Sequence, residues 1–265
     1  MSDDGIHIHY LDLDQTPRGT IGKYWLHIVN NMIGEPVRIP IMVARGVTDG
    51  PVLGLTAAVH GNELNGIFVI QQLFRQLDPT KLSGTIIGLL VMNVPGLLRE
   101  QRWFIDNEDL NRITPGKPNG NVSQVYVHRI IERVLKKFTM HIDLHTASFG
   151  RLNSYYIRAD MDDETTARMA RLQNADIILH NPPNDKTLRG AADGLTIPAI
   201  TVELRDPHLF QGGVVDNSLV GINNVIFDQG MLEGQILCPA VPTLLCKNSY
   251  WMYTDEGGIL EVFPP

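Results

Sequence analysis

The chain alternates short, wholly apolar runs with longer stretches of helical periodicity. Residues 52–59 (VLGLTAAV) are bounded by Gly50-Pro51 and His60-Gly61. A run of that length and character predicts a strand buried on both sheet faces. In residues 64–77 the positions Leu64, Ile67, Phe68, Ile70, Leu73, Phe74 and Leu77 are apolar, which predicts a helix. The alternation continues downstream. Residues 85–92 predict a second buried strand, 122–138 a helix, 138–144 a short strand and 154–158 another. Residues 162–173 predict a helix with an acidic first turn, 197–204 a buried strand and 215–232 a helix. Upstream, residues 24–29 and 37–44 predict two strands about an Asn30-Asn31 turn, with Pro40 pointing to a sheet edge. Residues 1–20 are polar and read as an arm, whereas the chain beyond Gln235 is Pro-rich, with short strands expected around Gly257-Gly258. The pattern predicts an α/β fold, a mixed central β-sheet flanked by helices on both faces.

That fold class gives meaning to what stands at the strand ends, because open α/β sheets place ligands there. His60 and Glu63 follow the first buried strand, and Gly61 lets the backbone turn tightly between them. An imidazole and a carboxylate three residues apart can converge on one cation. Zinc accepts this mixed set and needs a third protein ligand, leaving one position open for water. His141, Asp143 and His145 alternate along another strand and so share a face. His145, at the strand's end, is the expected third ligand. Asp143 would hold its other ring nitrogen, and His141, one pleat deeper, reads as an ordinary satisfied histidine.

Other pairs carry less weight. His128 and Glu132 lie four apart in mid-helix, the spacing of a surface pair, and His7 and His9 lack a third partner. Glu203 closes the run IPAITV at a further strand end. Buried there, its pKa would rise, as suits a general base, although a salt bridge to Arg205 is the plainer reading. The stretch RWFIDNEDLNR, residues 102–112, gathers Arg102, Asn111 and Arg112 but taken alone is a solvated loop.

Bulk properties narrow the field. A length of 265 residues and 43% hydrophobic content suit one large globular domain, alone or with a small appendage. The net charge of −7 argues against nucleic acid or an anionic membrane as partner, although a local pocket can still be basic. Two cysteines, an acidic N-terminus without signal-peptide features, and the lack of a membrane-length apolar stretch lead us to expect a cytoplasmic protein. No G-x-S-x-G elbow supports a serine hydrolase.

Taken in order, His60-Gly61-Asn62-Glu63, Asp109-Leu110-Asn111-Arg112, Asp143-Leu144-His145 and Val202-Glu203 resemble the succinylglutamate desuccinylase/aspartoacylase family, within the zinc carboxypeptidase superfamily. The resemblance covers roughly residues 40–235 and implies a zinc carboxypeptidase-like (phosphorylase/hydrolase-like) fold. It implies one Zn2+ per chain on His60, Glu63 and His145, with Glu203 activating water. Arg102 would polarise the scissile carbonyl, Asn111 and Arg112 would hold the substrate's α-carboxylate, and Arg189 would grip a second carboxylate or the acyl group. The expected substrate is a small anionic N-acyl amino acid, cleaved at its amide bond. A metallocarboxypeptidase or a non-catalytic ligand-binding homologue are the alternatives, and homo-oligomerisation is left open. The chain departs from the family pattern in two places. The spacing from Arg102 to Asn111 is long, which makes Arg99 a rival, and Leu204-Arg205-Asp206 stands where a glycine is usual. A catalytic domain is expected over residues 1–235, with 236–265 reading as the start of a β-rich C-terminal domain cut short.

Overall fold

A computed structural model describes residues 5–148, 150–183, 186–239, 241–250, 252–253 and 255–258. Among the described residues ten strands form one mixed sheet in the order β1-β2-β3-β5-β4-β6-β9-β7-β8-β10. At its centre lie β4 (Thr48–Ala57), β6 (Met140–His145) and β9 (Ala199–Leu204), mutually parallel. On one side follow β5 (Ser83–Leu89), parallel to β4, then β3 (Pro36–Arg45) and β2 (Thr20–Asn30), antiparallel, and β1 (Ile6–Ile8). On the other side β7 (Tyr155–Ala159) runs antiparallel to β9, followed by β8 (Ile177–His180) and β10 (Leu244–Cys246).

The apolar side chains of the central strands are buried because both faces of the sheet are covered there. Leu53, Leu55, Ile142, Leu144, Ile200 and Val202 pack with α1 (Asn65–Gln76), α4 (Glu164–Leu172) and α6 (Gly212–Asp228). A second core on the opposite face joins Val59, Ile87 and Phe138 to α3 (Val122–Arg133) and α5 (Leu188–Asp193). Gly66 brings α1 close to the sheet, since a Cβ there would stand 2.8 Å from that of Leu144. Among the described residues no helix is long and apolar enough to cross a membrane.

Several expectations shift. Pro40 is not on an edge strand: β3 lies between β2 and β5, and Pro40 sits beyond the β5 ladder, where only its carbonyl is used, accepting from Leu90 N–H. Part of the arm joins the sheet as β1. The predicted helix 122–138 ends at Arg133, because Val134 leaves helical dihedrals before a short 3-10 turn. α6 begins three residues early, behind Gln211, whose side chain is tied to Asn65 and Asp206. The strands expected around Gly257-Gly258 fall largely outside the described residues.

Candidate metal centre and its cavity

Strand register assembles the site. On the face away from α1, Thr56 lies beside Asp143, Asp143 beside Thr201, and Thr201 beside Arg158. One pleat further along β6 and β9, His145 lies beside Glu203 and Glu203 beside Tyr156. Alternation puts both rows on one face. His60 and Glu63 reach the same place from the turn after β4. That turn needs Gly61, but for proximity: a Cβ would stand 2.0 Å from the Gly96 carbonyl carbon, and the left-handed residue nearby is Ala58.

His60, Glu63 and His145 are all buried, with donor atoms within 4.8 Å of one another. His60 Nδ1 is 2.7 Å from Glu63 Oε1, and His145 Nδ1 is 2.9 Å from Glu63 Oε2. Each outer ring nitrogen faces a carboxylate. His60 Nε2 is 3.0 Å from Asp109 Oδ1, and His145 Nε2 is 2.8 Å from Asp143 Oδ2. A neutral imidazole that donates from Nε2 has only a lone pair at Nδ1, so two lone pairs face the oxygens of a carboxylate. Such a set is self-repelling unless protons or a cation sit within it, and its nitrogen and oxygen donors suit a divalent metal. The electrostatics agree. Burial pushes both histidines down, but the Glu63 and Asp109 carboxylates outweigh it at His60, and those of Asp143 and Glu63 at His145, so both are raised. Burial likewise pushes Glu63 up, yet the two imidazoles hold it well below the usual carboxylate range.

Around these donors lies a cavity of about 570 Å³. Arg102 enters from the long loop, its Nε and Nη2 on Asp109 Oδ2 at 3.1 and 2.8 Å, and its Nη1 on Ser148 Oγ at 2.8 Å. Ser148 in turn donates to Glu63 at 2.9 Å. The rival, Arg99, lines a different cavity beside Trp25 and Arg38. Asn111 and the exposed Arg112 line the site; Asn111 Oδ1 accepts from Leu188 N–H at 2.8 Å, tying the loop to α5. Arg189 also lines it but is 2% exposed, with its guanidinium on the Asn181 carbonyl and side-chain oxygens.

Glu203 has a side chain 13% exposed, and burial pushes its pKa up. Its partner is not Arg205, which is exposed and turned outward by a positive φ of 59°. The cation beside it is Arg158, at 3.5 Å. Sequence reasoning missed Arg158 and Tyr156, whose approach depends on the β7–β9 pairing. It also assigned no role to Asp109, which supports both His60 and Arg102, or to Ser148. Among the described residues, a second group of Asp160, Asp162 and His180 also brings donor atoms together, less buried.

The fold and this donor set define a class, an α/β protein whose strand ends could hold a metal ion beneath a cation-rich cavity. The chain belongs to the succinylglutamate desuccinylase/aspartoacylase family, whose catalytic-domain model matches residues 49–226. It is 32% identical over 257 residues to N-alpha-acetyl-L-2,4-diaminobutyric acid deacetylase of Halomonas elongata, covering 85% of this chain and 69% of that one. It is 29% identical over 170 residues to succinylglutamate desuccinylase of Pseudomonas paraeruginosa, covering 59% of this chain and about half, 51%, of that enzyme. Among solved structures, a succinylglutamate desuccinylase/aspartoacylase from Rhodobacter sphaeroides superposes with a TM-score of 0.75 at 26% identity, over 86% of this chain and 71% of that one. These relatives support an amide hydrolase acting on acylated amino acids.

Proposed function

We propose that this chain is a zinc-dependent deacylase that hydrolyses the amide bond of an N-acyl amino acid. The observation that carries this reading is that His60, Glu63 and His145 open onto the same cavity as Glu203 and a set of arginines. Zinc, when bound, supplies Lewis acidity that makes water a competent nucleophile near neutral pH. Glu203 takes a proton from the attacking water as its oxygen bonds to the carbonyl carbon. It then delivers that proton to the leaving nitrogen as the C–N bond breaks, which yields a carboxylate and a free amino acid. A base with a raised pKa is suited to both transfers. Arg102, fixed by Asp109 and Ser148, is the donor toward the carbonyl oxygen, while Asn111 and Arg112 receive the α-carboxylate, a planar group that a guanidinium matches.

Substrate choice need not follow that of the diaminobutyric acid deacetylase. The side chain of diaminobutyrate carries an amine, whereas the only carboxylates lining this cavity among the described residues are Glu63 and Glu203. Both have roles in this mechanism, so an amine would meet cations. A neutral or anionic amino acid fits better. The free cysteines Cys238 and Cys246 accord with a reducing cytosolic setting. Assay of zinc-loaded protein against acetyl-, succinyl- and formyl-amino acids, their α-carboxamides and dipeptides tests the reading. Release of free amino acid from the acyl acids, with the carboxamides slower by about 100-fold, is expected for a site that pairs a carboxylate. Faster cleavage of dipeptides would reassign the chain as a carboxypeptidase.

A further inference from the structure

A second cavity, of about 530 Å³, lies apart from the metal centre, between the β2–β3 hairpin and a short helix, α2 (Val94–Leu97). The hairpin contributes Trp25 and Arg38. In its register Pro40 lies opposite Trp25 and Arg38 opposite His27, so Trp25 and Arg38 are diagonal neighbours on one face. From α2 and the residues after it come Val94, Pro95, Leu98 and Arg99. Leu98 is 80% exposed. Neither Arg38 nor Arg99 has a side-chain hydrogen bond or ion pair among the described residues. In a chain of net charge −7 acidic partners are plentiful, yet only one carboxylate lines this cavity among the described residues. That group, Glu35, accepts from Asn31 Nδ2 at 3.1 Å and pairs with neither arginine. Two unpaired cations between apolar walls concentrate anions.

The walls are fixed by contacts of their own. Asn31 Oδ1 accepts from Ile33 N–H and Glu35 N–H, at 3.1 and 2.9 Å, and so sets the hairpin turn. Asn93 Oδ1 caps α2 by accepting from Gly96 N–H at 2.8 Å. Gly5 lets the N-terminal arm pass against the indole, where a Cβ would stand 2.6 Å from Trp25 Cδ1. A ligand that enters therefore has little protein to order. We propose that this cavity is a second ligand site, one that takes a small aromatic carboxylate. Arg38 and Arg99 meet the carboxylate, and Trp25, Val94, Pro95 and Leu98 surround the ring. The two oxygens of one carboxylate can accept from both guanidinium groups, whose planar forks match it. The ring covers apolar surface that water otherwise meets, as an apolar pocket with a few convergent polar groups allows. Neither contact uses the metal, so the proposal stands apart from the deacylase reading.

Calorimetry and indole resonances test it together. Zinc-loaded protein is titrated with phenylacetate and benzoate, with their amides, which lack the charge, and with acetate, which lacks the ring. The better aromatic acid is expected to bind about tenfold tighter than its own amide and than acetate. In Arg38→Gln, and separately in Arg99→Gln, that affinity should fall by about tenfold, whereas Arg112→Gln, in the metal-centre cavity, should leave it unchanged. Thermal unfolding shows whether each variant is folded. The Trp25 indole N–H resonance, assigned by its loss in Trp25→Phe, should move with the calorimetric midpoint and stay still in Arg38→Gln. Amides that bind as well as the acids overturn the proposal, as does undiminished affinity in both arginine variants or no binding of either aromatic acid at millimolar concentration. Movement of the Trp103 resonance in place of that of Trp25 also overturns it, since Trp103 lies beside Arg102 and the anion would then be at the metal centre. A Trp25 resonance that moves on dilution of the protein instead of on titration would give this face to a second copy of the chain, and overturns it equally.

Discussion

Replacing Asp109 by Asn should weaken the metal centre and the carbonyl donor together. Asp109 accepts from His60 Nε2 and Asn111 N–H on one oxygen, at 3.0 and 2.9 Å, and from Arg102 Nε and Nη2 on the other, at 3.1 and 2.8 Å. An amide has one acceptor oxygen and one donor group. If the oxygen stays on His60, the amide N–H groups confront the guanidinium. If it turns to Arg102, they confront His60 and the Asn111 N–H, forcing the imidazole toward the tautomer that cannot ligate through Nδ1. Either orientation loses two bonds that involve a charged group. At about 1.5–3 kcal/mol each, that is roughly 3–6 kcal/mol of local interaction. Part of this reaches the metal, since loss of a carboxylate behind a ligating histidine typically costs about 10–100-fold in affinity, or ~1.4–2.7 kcal/mol. The rest falls on Arg102, and a displaced oxyanion donor costs on the order of 100-fold in turnover. Competition with a chromophoric chelator gives the zinc Kd, and kinetics at saturating zinc give the second effect. A zinc Kd within twofold of the unmodified protein, with turnover within threefold, would refute the dual role of Asp109.

Glu203→Gln should retain its zinc by metal analysis yet lose about 10²–10⁴-fold in kcat, because the amide keeps shape but cannot accept the proton; near-normal turnover would assign the base elsewhere. Since burial raises the Glu203 pKa and the ionised form is the active one, activity should be lost on the acid side, as pH falls through a value above the ordinary carboxylate range. A kcat/KM profile still flat when pH has fallen to that ordinary range would contradict this. Gly61→Ala should lower stability by roughly 1–3 kcal/mol in urea denaturation, since the added methyl meets the backbone of Gly96 and Leu97 at 2.0 and 2.2 Å; an unchanged midpoint would show that the two turns separate freely.

The central elements were legible because each reads as an apolar run or a regular polar-apolar alternation: β4, β5, β6 and β9 lie where residues 52–59, 85–92, 138–144 and 197–204 predict strands. β1, β8, α5 and β10 were not, since each spans only three to six residues. The donor set was readable for a local reason. His60 and Glu63 share one turn, and His145 marks a strand end. Arg158 was not, because its relation to Glu203 exists only through an antiparallel pairing across 44 residues of intervening chain. Pro40 misled for the same kind of reason. A proline cannot donate to a ladder, but an interior strand accepts it where the ladder on one side has ended: Pro40 pairs with Trp25 of β2 just beyond the last β5 pair.

His141 shows how far the ordering of this site extends beneath the metal donors. The Thr56 hydroxyl lies 2.6 Å from Asp143 Oδ1 and 2.7 Å from His141 Nε2. It has one proton to give, and a carboxylate can only accept, so Thr56 donates to Asp143 and accepts from His141 Nε2–H. That fixes His141 as the Nε2–H tautomer with a bare lone pair on Nδ1, the atom that finds no partner. Burial pushes the His141 pKa down to about 4, so the ring has no second proton to satisfy that nitrogen at neutral pH. Asp143 then uses its other oxygen on His145 Nε2–H, which leaves Nδ1 of His145 turned toward Glu63. The direction of each proton from β4 to β6 follows from the one before it. A histidine that reads from sequence as ordinary and satisfied is thus half satisfied, and its remaining bond sets the orientation of the Thr56–Asp143 support on which the ligating tautomer of His145 depends.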